Sequence, residues 1–148
     1  MKKDATHYGL LAAGWLVTIV AAIVLWRQAS ELPHAMPLDD LQRTVRKLRS
    51  DALEAQALAL QLAQGQLTMN YAHEQHRRLG RDLEDVRKAL DRPPPRAHEG
   101  EATLARTSAD RLDALLKAVP MAMADAEALR RLAEQEAAVA KGLPGGGP

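Results

Sequence analysis

The run Leu10–Trp26, LLAAGWLVTIVAAIVLW, constrains this chain more than any other stretch: it carries no charge and only one hydroxyl, Thr18. With Tyr8 and Gly9 it makes a helix about 28 Å long, against a bilayer core of about 30 Å. Tyr8, Trp15 and Trp26 lie at or toward its ends, where amphipathic rings favour the membrane interface. A cleaved signal peptide has a shorter apolar region and a small-residue cleavage site. Here the run ends in Trp-Arg-Gln without a convincing cleavage site, so the expectation is an uncleaved transmembrane signal-anchor in contact with membrane lipid. Lys2 and Lys3 precede it in a short cytoplasmic N-terminus, residues 1–9, and Arg27 follows it. The positive-inside rule then favours a single-pass protein of the bacterial inner membrane with its C-terminal part in the periplasm. Gly14, Thr18 and Ala22 stand four apart, a small-residue face on which a second membrane helix can pack.

The remaining sequence predicts helices and no globule. There is no Phe, and the two Trp and two Tyr all lie at or before residue 71. A compact core normally draws on aromatics, whereas Ala, Leu and Val suit long helices and coiled coils. Twenty basic residues balance 19 acidic ones, so nothing points to nucleic acid. The absence of Cys excludes disulfides, thiolate metal sites and a Cys nucleophile. The fold class expected is all-α and non-globular: one transmembrane helix, a long coiled-coil helix and a Pro-separated distal helical segment.

A juxtamembrane linker, residues 27–37, holds Pro33 and Pro37, which end or kink the first helix. No proline occurs again before Pro93, and a helix over 38–91 is about 80 Å long. Asp39 and Asp40 suit its start as N-cap and first-turn acids. Leu38, Leu41, Val45, Leu48, Ala52, Ala55, Ala59 and Leu62 recur at 3-4 spacing, the seam of a left-handed coiled coil. The seam continues through Gln66 and Met69, and a second one, Ala72, His76, Leu79, Leu83, Val86, Leu90, is offset from it. The offset reads as a stammer-like waist bracketed by Gly65 and Gly80. An alanine-rich seam buries little area, so a partner helix is implied: another copy in a homo-oligomer, or another protein in a hetero-complex.

His73 and His76 share one helical face, the only candidate metal ligands. H-E-x-x-H needs four-residue spacing and here the second His comes one residue early, so the favoured reading is two polar seam residues. A Pro-rich hinge, residues 92–100, ends the rod as a polyproline spacer. Helix resumes over 101–141, with a stripe of Leu104, Leu112, Leu115, Leu116 and Val119 and then Met123, Ala126, Leu129 and Ala133. Around Pro120 the two pieces form either a kinked continuous helix or a hairpin, and the absence of other turn residues there favours the kink. Residues 142–148 form a flexible tail.

No phosphate loop, nucleophile elbow or paired general acid and base is visible, so a non-enzyme without cofactor or small-molecule substrate is expected. An anchor, a rod over Leu38–Asp91, the Pro93–Pro95 linker and distal helices over 101–140 resemble, as architecture, the phage inner-membrane spanins of the Rz type. The resemblance implies an envelope protein whose distal end meets an outer-membrane lipoprotein during host lysis. The absence of Cys removes the intermolecular disulfides that some members of that family use. The reading is therefore an envelope scaffold or tether, with a spanin-like host-lysis protein as its narrower form. The alternative is an accessory or assembly subunit docked through its membrane helix and rod.

Overall fold

The computed structural model describes residues 35–144. They form four α-helices: α1 Leu38–Ala63, α2 Met69–Leu90, α3 Glu99–Ala122 and α4 Ala126–Gly142, with a 3-10 turn Arg96–His98 before α3. Each helix packs on its neighbours in sequence, α4 closes back onto α1, and α1 also touches α3 across the centre. The topology is up-down-up-down. The pairing of α1 with α4 is the most extensive, although these helices are furthest apart in sequence.

This bundle overturns the non-globular rod. The 38–91 helix breaks at residues 64–68, where Gly65 has φ +67°. The Gln66 amide donates to the Gln61 carbonyl (2.9 Å) and the Gly65 amide to the Leu62 carbonyl (3.0 Å). These are the paired bonds of a Schellman cap, which satisfies the last carbonyls of α1 and reverses the chain. The two offset seams therefore belong to two antiparallel helices, and the partner helices come from the same chain. Leu41, Val45, Leu48, Leu79, Leu83, Val86 and Leu90 are all buried in one core, each such side chain contributing about 1.5–3 kcal/mol. At the seam's margins Leu62 is half-buried, while Leu38 is 37% and Met69 52% exposed.

The prolines do not space a rod from a distal segment. Pro93–Pro95 connect α2 to α3 across one end of the bundle, where the Pro93 carbonyl accepts from the Met36 amide (2.8 Å) and Met36 is buried. Arg106 of α3 donates through Nε to the Leu90 carbonyl (2.9 Å), capping the end of α2. The distal segment is a hairpin, not a kinked helix. α3 runs through Pro120 to Ala122, and Asp125 starts α4 as its N-cap, accepting from the Glu127 and Ala128 amides. These two bonds hold the Asp125 carboxyl below its ordinary range. Asp39 and Asp40 both lie in the first turn of α1, whose N-cap is Pro37. Leu104 is exposed, and the buried stripe of α3 is instead Ala102, Ala105, Ala109, Leu112, Leu115, Leu116 and Val119.

Among the described residues no helix is long and apolar enough to cross a membrane, so the transmembrane element of the expected fold class is not found there. The signal-anchor Leu10–Trp26 and its face Gly14, Thr18 and Ala22 lie outside the described residues.

Candidate functional site

Two acids sit in the interior, where carboxylates are costly unless paired. Glu136 of α4 is 0% exposed and neither of its carboxyl oxygens has a hydrogen-bond partner. Burial alone pushes it up to about 7. Asp51 of α1 is 6% exposed, with Oδ2 unpartnered. Burial pushes it up to about 6; Lys47 and Arg78 oppose this while Asp82 and Glu54 add to it. It lies behind two surface ion pairs that bridge α1 and α2, Lys47–Asp82 (3.2 Å) and Glu54–Arg78. Glu136 occupies a stripe position, three residues after Ala133, and Asp51 stands next to the seam residue Ala52.

The two histidines have different surroundings. His73 is exposed, and half-buried His76 donates through Nε2 to the Leu116 carbonyl of α3 (2.8 Å). Residue 120 is four after Leu116, and Pro120 has no amide proton to offer that carbonyl. His76 therefore supplies the hydrogen bond that the proline removes. No group of three or more His, Cys, Asp or Glu among the described residues is placed to hold a metal ion.

One stretch of the surface is free of charge. From Ala55 to His73 the sequence contains no Asp, Glu, Lys or Arg. This stretch forms the end of α1, the Gly65 turn and the start of α2. It exposes Met69 and Tyr71, and Met121 (84% exposed) projects at the same end of the bundle. Between α1 and α2 runs a groove of about 240 Å³ floored by Leu58 and Leu79. Ala57 and Gln61 form one rim, Tyr71 and Gln75 the other, and the Glu54–Arg78 pair lies at one end. Ion pairs surround this stretch: Arg77–Glu74, Lys117–Asp113 and Arg131–Glu127 lie toward the same end of the bundle, and Arg92–Asp40 and Arg87–Asp110 toward the other. Exposed pairs of this kind contribute little individually, about 0–1 kcal/mol. Comparison with family models, with curated proteins and with solved structures finds no match.

Proposed function

We propose that this chain is a non-enzymatic scaffold or tether whose helical bundle binds a protein partner. The supporting observation is the uncharged stretch from Ala55 to His73, where Met69 and Tyr71 face solvent, with exposed Met121 at the same end of the bundle. Flexible Met and aromatic side chains outside a core suit adaptable protein contacts. Glu54 and Asp110 are held in ion pairs with Arg78 and Arg87, and the acids Asp51 and Glu136 are buried. That arrangement favours binding over acid-base chemistry. A spanin-like role in host lysis is the narrower form of this proposal and rests on the resemblance in architecture alone.

Inner-membrane residence with the bundle in the periplasm is a separate proposal that rests on residues 10–26 and their flanking charges. A single Cys in place of exposed Ala114 tests it cleanly, because the chain has no Cys of its own. Labelling of membrane-bound protein in spheroplasts by an impermeant maleimide is expected; protection until lysis, or recovery in the soluble fraction, overturns that location. For partner binding, a photo-crosslinking residue at Met69 or Met121 is expected to give a discrete protein adduct, and one at Glu84, which is paired with Lys88, is not. Absence of adducts from every position overturns the scaffold reading. The alternative, an accessory subunit of a larger complex, predicts stoichiometric co-purification with several membrane proteins.

A further inference from the structure

The outward face of α1 is written in two registers. In its first half Arg43 and Arg46 are exposed and Arg49 half-buried, and none of the three forms an ion pair with an acid among the described residues. In its second half the same face turns apolar: Leu53 is 48% exposed, Ala57 is exposed and Leu60 half-buried, at i, i+4, i+7 spacing. Ala57 is also a rim residue of the α1–α2 groove, so the stripe continues into that depression. Exposed Asp39 stands one turn before Arg43 at the start of this face; from Leu41 onward the acids of α1 point elsewhere, Asp51 being buried and Glu54 engaged with Arg78 of α2. From Arg43 to Leu60 the face is about 26 Å long.

We infer that this face docks an amphipathic helix of another protein, roughly 18 residues long, acidic over one half and apolar over the other. This rests on the scaffold reading and names the partner's chemistry. A second copy of the chain is the wrong occupant on charge grounds. Parallel pairing through this face sets arginine against arginine, and antiparallel pairing sets the arginines of each copy against Leu53, Ala57 and Leu60 of the other. An acidic–apolar helix satisfies both halves, with carboxylates meeting guanidinium groups in charge-assisted hydrogen bonds and Leu53 leaving water.

The test uses the full chain and fluorescein-labelled helical peptides of roughly 18 residues. One peptide carries Glu on its first half and Leu and Ala on its second; another has Lys in place of every Glu. Fluorescence anisotropy is expected to show binding of the Glu peptide, weakened by added salt. The double variant Arg46→Glu, Arg49→Glu and the single variant Leu53→Glu each weaken it by about tenfold or more. All these sites are at least partly exposed, and circular dichroism checks that each variant keeps its helix content. Equal binding of the Lys peptide, or affinity unchanged in the variants, overturns the inference. So does a concentration-dependent dimer in sedimentation that Leu53→Glu dissolves, which installs a second copy on the face. Photo-crosslinks at Met69 or Met121 with none at Leu53 or Ala57 sink the docking face while leaving the scaffold reading in place; adducts at no position sink both.

Discussion

Glu136 is an acid at a position where its helix stripe calls for an apolar side chain, and its effect on stability has a definite sign. In the unfolded chain it loses its proton near the ordinary value of 4.5, while in the bundle it keeps it up to about 7. Between those limits the folded state holds a proton that the unfolded state has given up, so stability falls as pH rises from 4.5 to 7 and levels off above. The size is about 2–4 kcal/mol. Asp51 acts in the same direction between its ordinary value of 3.8 and about 6. Urea denaturation at pH 5 and pH 8 should show the bundle more stable at the lower pH, and Glu136→Gln should shrink that difference. A variant with the same pH dependence as the parent places its origin elsewhere. Glycines give a second contrast. Gly65 is left-handed at the Schellman cap, so Gly65→Ala should destabilise by about 1 kcal/mol. Gly80 is an exposed α2 residue whose added Cβ meets nothing within 4 Å, so Gly80→Ala should stabilise by about 0.5–1 kcal/mol. Thermal melts of the two variants should shift in opposite directions. Both glycines were visible in the sequence, but the conformation that separates them is set by the turn and not by residue type.

Helix content and most buried positions of α1 and α2 were legible from spacing alone, because a 3-4 pattern reports the buried face whichever helix covers it. What spacing does not report is direction. The phase shift between Leu62 and Ala72 is the same for a strained continuous coil and for two antiparallel helices; the signal that favours the turn is Gly65 among Gln64, Gln66 and Thr68. Likewise Pro120 drew attention from Asp125, the residue that caps α4 and marks the reversal. The contact of His76 with Leu116 was beyond the sequence, since it joins α2 to α3 over 40 residues. A double-mutant cycle measures it. His76→Ala should cost about 1 kcal/mol by leaving the Leu116 carbonyl unpartnered. With Pro120→Ala present, residue 120 offers its own amide to that carbonyl, and the cost of His76→Ala should fall by most of that amount. Equal costs in both backgrounds remove the link between the proline and the histidine.

At the scale of the whole molecule, bundle and rod differ in a distance that spectroscopy reads directly. Spin labels at Arg43 and Lys88 of the full chain are about 67 Å apart on one continuous helix. In the bundle, α1 and α2 are antiparallel neighbours, Lys47 reaches Asp82 and Arg92 reaches Asp40, so the labels should lie within about 20 Å, allowing for the linkers. A long distance returns the rod.

The dominant pairing of α1 with α4 also has a kinetic consequence. The bundle's most extensive contact closes its longest loop, and loop closure of that kind slows folding more than it lowers stability. Pro144 lies beside Gln42 and Val45, so the described chain leaves the bundle at the end where α1 begins. A circular permutant that joins position 144 to position 35 through a short linker and opens the chain at the Gly65 turn converts this contact into a hairpin between sequence neighbours. It should refold faster than the parent in stopped-flow measurements while keeping nearly the same helix content, because the order of the elements changes and their packing does not.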